Sequence, residues 1–211
     1  MRVISRSATL ESSDKHSAHW KADAMPVVSF GLPYNDGLQT AVKWYLNARQ
    51  DKIAPGWSDI DPESLGPLIN LAWVVRVEPV FPIFTYRFAG TTLVEALGRD
   101  PTGMALSEIV PPQIHEITHG RYMSAVREQA AYFAIGRVRM PIGQQICERA
   151  VFPLMGRSGV VDHLLGFTLY QDPPISGDAD ADPVPVDDPV RFEDETIASY
   201  VPLKSLHYFA R

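Results

Sequence analysis

Apolar positions recur along this chain with two different periods, and the places where the period changes mark its elements. Residues 39–50, QTAVKWYLNARQ, carry Val42, Trp44, Tyr45, Leu46 and Ala48 among polar neighbours. Pro55 and Gly56 follow, as expected beyond the C-terminal end of a helix. A second short helix is predicted over PESLGPLI, with Asp61 as N-cap and Pro62 at the first helical position. The period then drops to two. LAWVVRVE (71–78) sets Leu71, Trp73, Val75 and Val77 on one side, and IFTYRFAG (83–90) sets Phe84, Tyr86 and Phe88 against Ile83, Thr85 and Arg87. Together they read as a hairpin whose turn includes Pro79 and Pro82.

Thr91 to Gly98 reads as a short helix ending in glycine, and Thr102 to Val110 as a second short or irregular one. Pro111-Pro112 opens a longer helix that runs to about Gln129. Three β-rich segments follow, AYFAIGRVRM (131–140), ICERAVFPLM (146–155) and VVDHLLGFTLY (160–170), separated by the glycine-bearing turns PIGQ and GRSG. Two hairpin strands, a helical crossover and a three-strand meander predict an α+β fold. Its five-stranded antiparallel sheet has helices on one face and is preceded by N-terminal helices.

The flanks differ in composition. Residues 1–30 are rich in Ser, His, Asp and Lys and read as a loosely ordered arm before a domain over 31–170. Residues 171–195 are acidic and proline-rich, with too little apolar surface to repay ordering, and read as an extended linker. Residues 196–211 regain Ile197, Tyr200, Val201, Leu203, Leu206, Tyr208 and Phe209, an apolar tail expected to dock on its own domain or on a second subunit.

Charge and cysteine content narrow the function classes. A net charge of −6 argues against nucleic acid and against an anionic membrane surface. The single cysteine, Cys147, excludes an internal disulfide and any multi-cysteine metal cage. The N-terminal segment lacks the apolar core of a secretory signal, and no apolar run reaches the roughly 18 residues needed to span a bilayer, so a cytoplasmic location is expected. Neither a G-x-x-x-x-G-K-[ST] phosphate loop nor a G-x-S-x-G nucleophile elbow occurs.

Several separated motifs resemble one family. Trp57, Asp61-Pro62, Leu65 and Leu68 precede a strand; Tyr86-Arg87, Gly90-Thr91, Leu97-Gly98 and Thr102-Gly103 follow; and ERAVFPLMGRSGVVDHLLG (148–166) closes the pattern. In this order they resemble stand-alone bacterial PAS-like proteins, over roughly residues 40 to 170. The resemblance implies a non-enzymatic sensory or regulatory module, with no output domain in this chain. Such a module binds a small ligand or a partner signalling protein between sheet and crossover helices, and a homodimer is a possible form. Trp73, Phe84, Tyr86, Phe88 and Phe133 are the wall residues this implies. The cofactor is left unknown. The N-C-R-F-L helix motif of flavin photosensors is missing, and Cys147 falls in a late strand instead.

One pattern competes with that reading. His115-Glu116-Ile117-Thr118-His119 spells H-E-x-x-H, which in zinc hydrolases supplies two imidazoles on one helix face and a glutamate to activate water. Such a site needs a third protein ligand. The positions where one extended form of the motif requires Gly and His hold Tyr122 and Ala125, Glu128 lies too close along the same helix, and Glu148 falls in a strand, so no metal ligand set is assigned. At 100° per residue Ile114, Ile117 and Ala125 are expected near the centre of the buried face. His115 and His119 lie on its flank beside Tyr122 and Val126, and Glu116 points towards solvent. His115 and His119 therefore join Tyr122 as pocket residues; since some PAS domains hold haem through a histidine on the crossover helix, the resemblance implies as the alternative function a haem- or metal-linked sensor using His115 or His119.

Overall fold

The period-two segments are strands and the helical-period segments are helices in the computed structural model, which describes residues 36–78, 83–140, 143–171 and 191–209. The arm at 1–30, residues 79–82 of the first hairpin and residues 172–190 of the acidic stretch lie outside the described residues. Helix α1 spans Asp36–Arg49, and α2 (Pro62–Leu65) starts where the Asp61 side chain accepts a hydrogen bond from the Glu63 N–H with Pro62 behind it. Strands β1 (Ala72–Val77) and β2 (Phe84–Ala89) follow, then α3 (Thr91–Leu97), α4 (Leu106–Ile109) and α5 (Pro112–Glu128). Gly98 and Gly103 after α3 have φ of 66° and 87°, which glycine adopts without the Cβ penalty. The meander is β3 (Ala130–Met140), β4 (Gly143–Met155) and β5 (Val161–Gln171), and β6 covers Arg191–Pro202.

All pairings are antiparallel, in the order β2-β1-β5-β4-β3-β6. The α+β architecture predicted from the periods is present, with one strand more than the five predicted. That strand begins at Arg191, inside the stretch read as linker, and pairs with β3 from Ala130↔Pro202 to Arg139↔Arg191. The chain after it turns back onto its own domain. Leu203 and Leu206 are buried, the Leu203 N–H donates to the Gln129 carbonyl, and Arg49 Nη1 donates to the Leu203 carbonyl at 2.7 Å.

Both faces of the sheet are covered. Helix α1 lays Leu38, Ala41, Val42 and Tyr45, spaced three and four apart, on an outer face made of Ala72, Val74, Ala150, Phe152, Leu154 and Phe167. Helices α3, α4 and α5 cover the inner face made of Trp73, Val75, Phe84, Tyr86, Tyr132, Ala134, Val151 and Leu164. A sheet buried on both sides accounts for the unbroken apolar run Val151–Leu154, where alternation alone gives no phase.

Tyr45 ties α1 to the sheet. Its ring stacks on Phe152 at 4.5 Å, and its buried hydroxyl donates to the Pro153 carbonyl at 2.7 Å. Tyr45→Phe keeps the stack and strands that carbonyl, so it is expected to lower unfolding free energy by about 1–2 kcal/mol in a urea titration. An unchanged midpoint would show that the bond contributes nothing.

Candidate functional site

The inner face and the three helices over it enclose a packed aromatic cluster whose polar groups are more informative than its walls. Alternation along β4 turns Cys147, Arg149 and Val151 inward and Glu148 and Ala150 outward, where the Gln171 side chain donates to Glu148. Arg149 is therefore a cation on the side of the sheet that the helices cover, 7% exposed. Its Nη2 lies 3.8 Å from Cys147 Sγ, and it hydrogen-bonds the Tyr170 side chain from the neighbouring strand β5. Tyr86 of β2, Tyr122 of α5 and Tyr132 of β3 all lie within electrostatic reach of the same guanidinium. A buried charge costs several kcal/mol of lost hydration unless polar groups meet it; Tyr170 and Cys147 do so here, while Arg149 Nε is buried without a hydrogen bond.

Burial sets the protonation of these groups. The Tyr86 phenol is pushed up to about 12 by burial, with Arg149 pulling the other way. Burial drives Tyr122 well above its usual value and raises Tyr132, again against opposing arginine charge. The Cys147 thiol is likewise raised by burial, with Arg149 opposing. Arginine does not lose its proton in proteins. At neutral pH the Tyr86, Tyr122 and Tyr132 hydroxyls and the Cys147 thiol therefore keep their protons, and Arg149 is charged.

The aromatic wall holds its own geometry. Trp73 stacks on Tyr122 at 5.6 Å and packs against Tyr86 at 6.1 Å, while its Nε1 donates to Thr168 Oγ1 at 2.9 Å. Phe84 meets Tyr122 edge-on at 5.3 Å and His119 edge-on at 5.2 Å. His115 sits 5.7 Å from His119, both half-buried at one edge of this cluster. Among the described residues no three His, Cys, Asp or Glu side chains gather as a metal site would require. Glu116 is exposed, as its angle on the helix predicts.

Of the eight predicted wall and pocket residues, Trp73, Phe84, Tyr86, His119 and Tyr122 meet in this cluster, with His115 beside His119. Phe88 and Phe133 do not: both pack on the α1 side of the sheet. Phe88 is displaced by a bulge. Val75 pairs with Tyr86 and Val74 with Phe88, so the extra residue Arg87 reverses the alternation between the two aromatics. Phe133 is an error of phase. Both faces of β3 are apolar, and Tyr132 rather than Phe133 is the inward neighbour. Ile117, expected at the centre of the buried helix face, is 53% exposed; that face is carried by Thr118, Tyr122 and Ala125.

Arg149, Tyr132, Cys147 and Tyr170 were not predicted as site residues. One signal was available: an arginine in the apolar run CERAVFPLM, two residues from Cys147 and two from Val151, shares their face of a strand.

The family described as PAS domain matches residues 36–169, more than half of the chain. No curated protein sequence matches. Among solved structures, VqmA bound to DPO aligns with a TM-score of 0.42 at 13% identity, over 51% of this chain and 56% of that one. The Vibrio cholerae VqmA dimer without its target DNA gives 0.42 at 14%, over 54% and 52%. A light-oxygen-voltage domain studied with a flavin analogue gives 0.40 at 12%, over 55% and 84%. The chain thus spans about half the length of the VqmA chains it matches.

Proposed function

This chain belongs to the PAS domain family, and from that premise we propose that it is a non-enzymatic sensory or regulatory module receiving a small ligand in its sheet–helix cleft. The observation that carries the proposal is Arg149 with its phenols, on the cleft side of the sheet. A core built only for stability would be served as well or better by apolar side chains of the same volume, because a buried ion needs compensation that a leucine does not. Small-molecule sites combine apolar and aromatic walls with a few converging polar groups, and Trp73, Phe84, Tyr86, Tyr122 and Arg149 have that composition. The net charge of −6 supports a role away from nucleic acid. No helix among the described residues is long and apolar enough to cross a membrane.

The test is mass spectrometry of what the folded protein carries through purification and releases on denaturation. The expected result is a small molecule in near-stoichiometric amount, absent from an Arg149→Met variant whose circular dichroism matches the parent. The proposal fails if the folded protein releases nothing and no metabolite mixture raises its melting temperature. The alternative through His115 and His119 has its own readout. A haem-loaded protein shows an intense Soret band that His115→Ala or His119→Ala removes, and a colourless protein that takes up no haem in titration disposes of it.

A further inference from the structure

A groove of about 500 Å³ runs beside α1, on the opposite side of the sheet from the aromatic cluster. One wall is the stripe Gly37, Thr40, Trp44 and Asn47 of the helix; the other is Leu65, Leu68 and Leu71, from α2 and the chain that follows it. We propose that residues 28–32 of the N-terminal flank dock in this groove, with Val28, Phe30 and Leu32 against its apolar walls. The flank joins α1 at Asp36, and Gly37 already lines the groove, so the chain arrives at one end of it. Pro33, Asn35 and Asp36 are turn-forming residues, and they stand where the chain has to double back along the helix. Before them, residues 27–34 read VVSFGLPY, and period two sets Val28, Phe30, Leu32 and Tyr34 on one side of an extended segment. Residues 1–26 hold no such run of large apolar side chains. The lengths agree as well. From Gly37 to Asn47 the helix wall is about 15 Å long, and residues 28–32 span about 13 Å when extended.

Other occupants fit less well. Small-molecule sites fix their ligand with converging polar groups. Here Thr40, Lys43, Asn47 and Ser64 are exposed at the rim, and the Ser64 hydroxyl already donates to the Asp61 carbonyl and accepts from Trp44 Nε1. A second copy docking through the same patch would bring two Lys43 charges into one interface. A tethered segment needs little intrinsic affinity. Linked through residues 33–35, it is held beside the groove at an effective concentration of roughly millimolar.

The test uses the full chain with Asp51→Cys carrying a nitroxide. Asp51 is exposed just past α1 and outside the groove lining, and the native Cys147 is buried. Methyl NMR signals of Val28 and Leu32 are followed before and after the nitroxide is reduced. Both are expected to lose intensity, Val28 more than Leu32 although it lies further along the tether, because docking runs the segment back towards Asn47. Phe30→Ser is expected to restore both signals and to shift the Trp44 indole N–H, with the strand amides unchanged. Sharp signals in the labelled chain overturn the proposal, and so does broadening that persists in Phe30→Ser, which reflects tethering alone. Broadening of an isotope-labelled chain by nitroxide on a different molecule also overturns it, in favour of a second copy.

Discussion

Gly166→Ala is expected to destabilise the domain by about 3 kcal/mol, at the upper end of what one extra methyl in a packed core costs. Gly166 pairs with Trp73 across β5 and β1, and the indole lies flat over it. A Cβ built at residue 166 would fall inside contact distance of the Cζ2, Cε2 and Cη2 atoms of that ring. The indole has nowhere to go: its Nε1 is held by Thr168, and its faces are packed by Tyr122 and Tyr86. The strain would pass directly to Tyr122 and Tyr86, which pack against the indole. Trp73→Phe removes the crowded atoms and should recover part of the loss in the double variant, giving a coupling that neither change shows alone. A Gly166→Ala protein that melts within a degree of its parent would mean the indole is not where it is placed.

The second large effect is alkaline. An exposed tyrosine titrates near 10, whereas Tyr86 in the folded protein is pushed up to about 12 by burial. The sign follows from linkage. The folded state holds this proton more tightly than the unfolded chain, so the associated stability is fully present below pH 10 and is lost as pH rises from about 10 to about 12. For Tyr86 alone that amounts to roughly 2–3 kcal/mol. Tyr122 and Tyr132 are raised by the same cause and add to the slope, and Tyr200, also pushed up to about 12, loses its contribution over the same interval. Melting temperature measured from pH 8 to 12 should be level at first and then fall steeply, with tyrosinate absorbance appearing together with unfolding. Tyr86→Phe should make the fall shallower. Tyrosinate absorbance appearing in full near pH 10 without loss of structure would contradict the buried network.

Much of the fold was readable from periodicity, because each element buries one stripe of its own residues. Asp61-Pro62 opens α2, and Pro111-Pro112 opens α5, through local chemistry that depends on no distant contact. The strands at 72–77, 84–89, 130–140, 143–155 and 161–171 stand within a few residues of where alternation and β-rich composition placed them. The sixth strand was not readable: apart from Phe192 its residues from Arg191 to Glu195 are charged, and only the free edge of β3 supplies the partner that makes them a strand.

The site was legible in part, and the boundary is physical. Trp73, Phe84, Tyr86 and Tyr122 announce themselves as large aromatics on periodic faces, and they meet in one buried cluster on the inner face. Phe88 was misplaced because a single bulge residue, Arg87, reverses which face a strand presents, and no local preference marks it. His115-Glu116-Ile117-Thr118-His119 spells a metal motif, yet what the tertiary structure gives His119 is the edge of Phe84 and the neighbouring imidazole of His115. Arg149 is the reverse case, a residue in an ordinary apolar run that becomes the shared neighbour of tyrosines from β2, β3, β5 and α5. The chain by itself determined its helices, most of its strands and their sum as an antiparallel α+β domain, because those follow from which residues must leave water. Which face each aromatic took, and which polar groups shared a buried space, was decided only by tertiary pairing, because register, bulges and electrostatic coupling act between residues far apart in sequence.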